Sequence, residues 1–219
     1  MNREDILTEI SNNVLNEKYA PSRSDCCDIE NQVFQDVVLD NIECHRIIFW
    51  NCKFKNVQFL DNKVEWVRFE ECEFENTIFS GKYENVQITI MDSSFKQCEV
   101  RNLELIGYNP QSEIADCIFD SCDFSKIRIE TDLTISGGQI IRARGDELNC
   151  KMNMLFEVKI TDSSFSNIDI EAAILRNSLS KVEITSIDLK ERSVVKDNTF
   201  EMVLEISFLD PLVVNIKQS

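Results

Sequence analysis

The sequence from Asn31 to Ser80 reads NQVFQDVVLDNIECHRIIFWNCKFKNVQFLDNKVEWVRFEECEFENTIFS. Every fifth residue of it is apolar, and seven of these ten residues are phenylalanine: Phe34, Leu39, Cys44, Phe49, Phe54, Phe59, Val64, Phe69, Phe74 and Phe79. Seven of the ten residues that lie two positions earlier are apolar as well. A period of five fits neither a helix nor a plain strand, so the backbone must turn a corner every five residues.

A second, longer period is superimposed on the five-residue repeat. Phe34, Phe54 and Phe74 begin the similar blocks FQDV, FKNV and FENT, so four five-residue sides make one coil and residue i stacks on residue i+20. A polar residue three positions earlier marks each of these leading phenylalanines, and the same mark recurs farther along at wider spacings, before Phe95, Phe119, Phe165 and Phe200. The pattern predicts one elongated β-solenoid domain over residues 28–199, with roughly seven to nine coils.

In this stretch the sequence resembles the pentapeptide-repeat family. The clean match covers residues 31–80, and shorter runs recur at 93–105, 117–129 and 163–175. The resemblance implies an all-β fold, a right-handed quadrilateral β-helix whose central residues point inward. The chain departs from the family by carrying Val, Ile and Cys where the family favours Ala. The phenylalanines predicted to form the core lattice are Phe34, Phe49, Phe54, Phe59, Phe69, Phe74, Phe79, Phe95, Phe119, Phe124 and Phe165.

The two ends of the chain differ from the repeat. Residues 1–20 carry an apolar stripe at helical spacing behind Asn2, a residue type that caps helix N-termini, so we expect a helix that covers the first coil. Residues 200–219 are too apolar for a solvated tail. They either close the last coil within one chain or form a homodimer seam, and the residues predicted for that seam are Phe208, Leu209, Leu212 and Val213.

Glycine and proline mark two interruptions of the lattice. Gly107 and Pro110 predict a projecting loop over residues 106–112, and the glycines at 137, 138 and 145 predict a second one over 136–154. Loops on a rigid scaffold often carry function, which makes Tyr108 and Asn109 candidate partner-binding residues.

The charge of the chain restricts its partners. Asp and Glu number 39 against 23 Lys and Arg, which gives a formal net charge of −16. This argues against direct binding to nucleic acid or anionic membranes and favours a protein partner with a basic surface. The N-terminus lacks the pattern of a secretory signal, and the nine cysteines are then expected to be reduced thiols of a cytoplasmic protein.

The residues that catalysis or metal binding would need are scarce. His45 is the only histidine, C-x-x-C is absent, and so is a glycine-rich phosphate loop. Six cysteines occupy inward positions of the lattice, where they serve as small core side chains. We therefore expect no enzyme activity, no catalytic residues, no metal and no cofactor.

Outward charges should stack from coil to coil. The predicted pairs are Glu43–Lys63, Lys53–Glu73, Lys55–Glu75 and His45–Glu65. Glu70 and Glu71 have no such partner one coil away, which makes them candidates for binding a basic partner.

Three functional hypotheses remain open at this point. The first is a non-catalytic binding protein, an acidic rod that occupies a basic site; by resemblance to the family, that site could belong to DNA gyrase or a related topoisomerase, with the rod mimicking DNA. The second is a structural adaptor or scaffold in a bacterial defence or effector system. The third is a β-helix enzyme acting on carbohydrate. Unpaired acids along one face would indicate mimicry, and apolar patches would indicate an adaptor.

Overall fold

The computed structural model describes residues 1–8, 26–107, 112–184, 187–189, 194–201 and 214–218. Within these residues the chain forms one short helix, α1 (residues 3–8), and a single sheet of 25 strands. The strands are β1 (Cys26–Glu30), β2 (Val33–Gln35), β3 (Val38–Asp40), β4 (Glu43–Trp50), β5 (Lys53–Lys55), β6 (Gln58–Leu60), β7 (Lys63–Glu70), β8 (Glu73–Glu75), β9 (Ile78–Glu84), β10 (Gln87–Met91), β11 (Ser94–Lys96), β12 (Glu99–Ile106), β13 (Glu113–Ala115), β14 (Ile118–Asp120), β15 (Asp123–Glu130), β16 (Thr134–Ser136), β17 (Gln139–Ile141), β18 (Arg144–Phe156), β19 (Lys159–Thr161), β20 (Ser164–Leu175), β21 (Ser178–Ser180), β22 (Glu183–Ile184), β23 (Ile187–Leu189), β24 (Val194–Glu201) and β25 (Val214–Gln218). No helix in these ranges is long and apolar enough to cross a membrane.

Each strand pairs in parallel with the strand one coil farther along, which gives a solenoid of about eight turns and confirms the predicted fold class. On the first face the register partners are Val33–Lys53, Lys53–Glu73, Glu73–Ser94, Ser94–Ile118, Ile118–Gln139, Gln139–Lys159, Lys159–Ser178 and Ser178–Thr199. We number the coils 1 to 8, starting at Asn31. The number of residues between stacked positions is the same in coils 1 and 2. It is largest in coil 4, where Ser94 pairs with Ile118.

The corners explain the period of five. In coil 1 the backbone enters the left-handed region at Asn31, Asp36 and Asn41, with φ of 55°, 54° and 49°. Asn and Asp tolerate this region better than other residues with a side chain. The fourth corner differs, because β4 continues through it in extended form. Three left-handed corners and one extended corner thus fold each regular coil into four sides.

Phenylalanine rings stack from coil to coil along the first two faces and, at Phe49 and Phe69, along the fourth. Phe34, Phe54, Phe74, Phe95 and Phe119 form one column, with successive ring centroids 4.5–4.8 Å apart and nearly parallel. The column continues beyond coil 5 as aliphatic side chains at Ile140, Ile160 and Leu179. The structure places all eleven predicted lattice phenylalanines in the core clusters.

Phe165 lies in a different column from the one that its spacing predicted. It pairs with Gly145, which in turn pairs with Phe124, so Phe165 belongs to the second face and not to the leading column. The prediction was wrong because a polar residue three positions earlier precedes inward residues of the second face as well as those of the first. Only the pairing with the neighbouring coil shows to which face Phe165 belongs.

The predicted loop over residues 136–154 is also wrong. These residues form β17 and most of β18 and complete a regular coil. Gly137 and Gly138 turn its first corner with φ of 62° and 71°. Gly145 points inward beneath Phe165, and an added Cβ there would lie 2.5 Å from the Phe165 ring, so the glycine makes room for an aromatic side chain. Of the other predicted loop, residues 108–111 lie outside the described part of the chain.

Helix α1 covers the first coil. Asn2 caps it, because the Asn2 Oδ1 accepts a hydrogen bond from the Asp5 backbone N–H at 3.0 Å, while the Asp5 carboxylate accepts one from the Asn2 N–H. Ile6 is fully buried in the same core as the phenylalanines. The N-terminal ammonium donates to the Val33 carbonyl at 2.8 Å, which fixes the helix on β2. The residues of the predicted stripe beyond Thr8 lie outside the described range.

Small polar side chains hold the corners from inside. The Cys52 thiol donates to the carbonyls of Ile29 and Trp50, at 3.5 and 3.4 Å. Cys72 and Thr77 make the same pair of contacts farther along. The six cysteines predicted to point inward are buried free thiols. Burial raises the pKa of Cys117 to about 11 and that of Cys150 to about 12, so these thiols are protonated and unreactive.

Candidate interaction surface

Stacked ion pairs neutralise much of the surface charge on the first three coils. Lys53 Nζ lies 2.9 Å from Glu73 Oε2, and Lys55 Nζ lies 3.5 Å from Glu75 Oε2, as the register of i on i+20 predicts. His45 Nδ1 lies 2.8 Å from a Glu65 oxygen. The prediction of a Glu43–Lys63 ion pair is wrong, because these two residues are in register but are not among the ion pairs of the described residues. Such exposed pairs contribute less than about 1 kcal/mol each to stability. The main effect of the two lysine pairs is to remove Glu73 and Glu75 from the negative field of the surface.

A second kind of pair joins residues two apart on the same strand. Arg68 Nη2 lies 2.6 Å from Glu70 Oε2 on β7, so Glu70 is paired and the prediction that it is uncompensated is wrong. The same spacing joins Lys82 to Glu84, and it recurs on β12 and β15. Residues i and i+2 of a strand share a face, and this neighbour was missed because only the partners one coil away were considered.

Three acids at successive turns of one corner remain unpaired. Glu71, Asp92 and Asp116 begin coils 3, 4 and 5 at left-handed corner positions, with φ of 53°, 49° and 52°. The backbone N–H of each donates to the coil above, at the carbonyls of Met91, Ala115 and Ser136, which stacks the three in one row. All three are exposed, and none forms an ion pair with any cation in the described residues. We call this row the acidic corner.

The charges of the acidic corner affect the pKa of a buried thiol next to it. The Cys117 thiol lies directly after Asp116 and has its pKa raised, first by burial and further by the charges of Asp92 and Asp116. Two coils farther along, the same corner carries Glu157, but Arg176 Nη1 lies 3.2 Å from the Glu157 carboxylate and neutralises it. Among the positions of this row whose side chains the structure describes, the unpaired acids are therefore confined to coils 3–5.

The face that precedes this corner carries several large apolar side chains on its outer side. Its last outward column carries Trp50, Met91, Phe156 and Leu175, interrupted by the paired Glu70 after Trp50 and by a buried alanine and a serine, Ala115 and Ser136, before Phe156. Trp50 is 40% exposed, and the other three side chains are half-buried. We call this column the apolar stripe. The Arg176 guanidinium lies 5.5 Å from the centre of the Phe156 ring and covers part of it, so Trp50 is the member of the stripe that is most exposed to water.

Six predicted site residues lie outside the described part of the chain. They are Tyr108 and Asn109 and the four residues of the predicted dimer seam, Phe208, Leu209, Leu212 and Val213. Of the four predicted partner-binding residues, Glu71 is an exposed acid without an ion-pair partner among the described residues. The sequence did contain the signal for its two neighbours, because Asp92 and Asp116 are the corner marks before Phe95 and Phe119.

No family model matches the chain, and no curated protein matches it either. Among solved structures the chain is similar to HetL, a pentapeptide-repeat protein involved in heterocyst differentiation regulation in the cyanobacterium Nostoc, with 11% identity, a TM-score of 0.27 and coverage of 90% of this chain and 94% of HetL. It is also similar to QnrB1, a plasmid-mediated fluoroquinolone resistance protein, with 14% identity, a TM-score of 0.20 and coverage of 75% and 82%. The tailspike receptor-binding protein of bacteriophage Det7 matches with 10% identity, a TM-score of 0.30 and coverage of 87% and 52%.

The fold is assigned from the geometry of this chain itself. Five-residue sides, left-handed corners and parallel coil-to-coil pairing together make a four-sided β-solenoid, the architecture that the resemblance to the pentapeptide-repeat family implies.

Proposed function

We propose that the protein is a non-catalytic binding protein, an acidic β-helical rod that docks on a basic surface of a partner protein. The observation that carries the proposal is the acidic corner, in which Glu71, Asp92 and Asp116 are exposed and unpaired while most nearby acids are neutralised. The coil repeat holds the three carboxylates in a rigid row about 4.8 Å apart per coil.

The rigidity of the row matters for binding. The backbone of each acid is fixed by a hydrogen bond to the next coil, so little conformational entropy is lost when a partner binds. The three acids form no ion pair within the described residues, so a Lys or Arg of the partner can bind them without first breaking an existing pair. The net charge of −16 adds long-range attraction that speeds association and weakens with salt.

The finer form of the proposal is that the partner is a DNA-binding enzyme of the topoisomerase class and that the rod takes the place of DNA. Its support is the resemblance to the pentapeptide-repeat family, together with a row of negative charge on a straight scaffold. A protein that binds DNA offers the basic groove that such a row fits.

The test compares two variants of equal net charge. The first, Glu71→Gln/Asp92→Asn/Asp116→Asn, neutralises the acidic corner. The matched control, Glu73→Gln/Glu75→Gln/Glu84→Gln, removes three carboxylates that already pair with lysines. Binding of the fluorescently labelled protein to purified bacterial DNA gyrase is measured by anisotropy at about 50 and about 200 mM salt, with duplex DNA as a competitor.

We expect the corner variant to lose at least about tenfold in affinity at low salt, which corresponds to about 1.4 kcal/mol, while the control changes much less. Equal losses in both variants would show that only net charge matters and would reject the corner as the contact. If gyrase does not bind, pull-downs from a host lysate at both salt concentrations decide between another basic enzyme and none, and the absence of a salt-sensitive partner rejects the proposal.

A second candidate, a structural adaptor, is favoured by the apolar stripe. Large side chains at Trp50, Phe156 and Leu175 suit a partner that binds by apolar contact. This candidate predicts binding that persists at high salt and is lost in a Trp50→Ser/Phe156→Ser variant. The two candidates are distinguished by which variant, corner or stripe, releases the partner.

A further inference from the structure

The inside of the solenoid is packed most densely around the start of the first phenylalanine column and less densely farther along. In coils 1 and 2, Phe34 and Phe54 of that column are at most 1% exposed. In coils 4–6 inward side chains such as Val100, Ile135 and Ile140 are only half-buried, although they point into the coil. They border an internal cavity of about 390 Å³ whose walls are almost entirely apolar.

The sequence explains why the cavity opens there. The step between stacked residues is longer in coil 4, where Ser94 pairs with Ile118, than in coil 1, where Val33 pairs with Lys53, and residues 108–111 of this coil lie outside the described part of the chain. At the same time the side chains inside become smaller. The leading column changes from Phe119 to Ile140, and the second column runs through a valine and a glycine between its phenylalanines. Smaller inward residues leave space that no side chain fills.

The polar groups that border the cavity are already satisfied by the protein. Asn62 accepts a hydrogen bond from the Ile42 N–H and donates to the Leu39 carbonyl, both at 2.9 Å. Asn177 likewise bonds to a backbone N–H and a backbone carbonyl. The Ser112 hydroxyl accepts a bond from the Ile88 N–H. None of these groups is left to hold a charged or polar ligand, whereas an apolar one would need none of them.

A cavity of this kind is suited to a hydrocarbon. An apolar cavity of about 150 Å³ in another protein stays dry and binds benzene, and ligand pockets range from about 300 to 1,000 Å³. The lining residues come from successive coils, from Ile42 in coil 1 to Ile184 in coil 8, which makes the space long in the direction of the rod. An elongated chain fits that shape better than a fused ring system.

We propose that the middle coils bind one uncharged, elongated hydrocarbon chain, such as a medium-chain alkane or alkanol, inside the solenoid and along its axis. The site is independent of the acidic corner, which lies on the outer surface. Binding fills the space between the inward columns and restores the dispersion contacts that the hollow coils lack.

The first experiment uses the full chain and defined probes. Calorimetric titration with n-dodecanol is expected to show saturable one-to-one binding and an upward shift of the melting temperature. The charged analogue dodecanoate at neutral pH is expected to bind at least about tenfold more weakly, because its carboxylate would lose hydration without gaining a partner. No saturable binding, more than one chain per protein, or equal affinity for dodecanoate would overturn the proposal.

The second experiment fills the cavity. The variant Val100→Phe/Ile140→Phe extends both aromatic columns into the space, and we expect it to lose at least about tenfold in dodecanol affinity. The matched control, Val38→Phe/Ile118→Phe, makes the same exchanges at outward positions that are 45% and 42% exposed, and it should bind as the unchanged protein does. Unchanged binding by the filled variant would place the alkanol on the surface and refute the site. If the filled variant does not fold, the titration of the unchanged protein decides alone.

Discussion

At the scale of single residues, the phenylalanine columns supply the densest part of the core. Phe54 stacks on Phe34 at 4.8 Å and on Phe74 at 4.7 Å, with nearly parallel rings. Phe49 and Phe69 meet it edge-on at 5.2 and 5.8 Å. Aromatic pairs in these geometries contribute about 0.5–1.5 kcal/mol beyond the burial of their area, so one ring supports several neighbours at once.

Replacing Phe54 by alanine should therefore lower the free energy of unfolding by about 3–5 kcal/mol, since the vacated space lies between rigid rings that cannot collapse into it. Urea unfolding followed by circular dichroism measures this loss. Ile118→Ala, at an outward position, is the control and should change stability by less than about 0.5 kcal/mol. An unmoved midpoint for Phe54→Ala would contradict the column.

A second prediction at the residue scale concerns acid. The hydrogen bond from the Asn56 side chain, and next the one from Gln35, lower the pKa of Asp36 below its usual value. A carboxylate whose folded pKa is lowered stabilises the fold above its unfolded pKa of about 4, and this contribution is lost as the pH falls through the folded value. We expect Asp36→Asn to lose less stability than the unchanged protein between about pH 5 and pH 2.

Urea midpoints measured across that pH range test the acid prediction. Asp123→Asn, which removes a carboxyl without touching the Asp36 hydrogen bonds, controls for the change in net charge. Parallel pH curves for Asp36→Asn and the unchanged protein would mean that the Asp36 hydrogen bonds contribute nothing in solution.

At the scale of the elements, the corners determine where each strand ends. Asn56 has φ of 55°, its N–H donates to the Glu75 carbonyl, and its side chain bonds to Asp36 below and Asn76 above. The corner therefore needs both a residue that tolerates the left-handed region and a side chain that continues the polar ladder.

The variants Asn56→Val and Asn56→Gly separate these two requirements. Both lose the side-chain ladder, but only valine is strained at positive φ, so Asn56→Val should be less stable than Asn56→Gly by about 1–3 kcal/mol. The difference in melting temperature between the two variants measures the strain directly. Equal melting temperatures would indicate that this corner does not adopt the left-handed conformation.

At the scale of the whole molecule, the two ends of the solenoid differ. Helix α1 covers the first coil with a buried Ile6. At the other end β25 pairs with β24 and has no second neighbour among the described strands. An open strand edge is the kind of surface that a second chain can cover, and the sequence of residues 202–213, which lie outside the described part of the chain, is rich in apolar residues.

We therefore keep the prediction of a homodimer through Phe208, Leu209, Leu212 and Val213. Light scattering at tens of micromolar protein should give the mass of two chains, and Leu212→Glu/Val213→Glu should give the mass of one. A single-chain mass for the unchanged protein would favour the alternative that the segment caps its own coil. A dimer that survives both glutamates would place the seam elsewhere.

Local sequence was enough to predict the repeat, and with it the fold class, the polar corners, the inward phenylalanines and the ladder pairs Lys53–Glu73 and Lys55–Glu75. These features follow from local chemistry repeated at a fixed period, because each five-residue side meets the same requirements as the one below it. The capping helix was also predictable, since an open first coil needs a cover and Asn2 marks its start.

Other features depend on which residues are neighbours in space, and these required the folded chain. The fold pairs Glu70 with Arg68, places Phe165 on the second face, and makes the region around Gly145 a strand and not the predicted loop. The spacing between stacked residues lengthens in the middle coils, and once it changes, distance along the chain no longer gives the register. The acidic corner and the half-buried inward side chains that border the internal cavity both involve those coils, which is why local sequence does not reveal them.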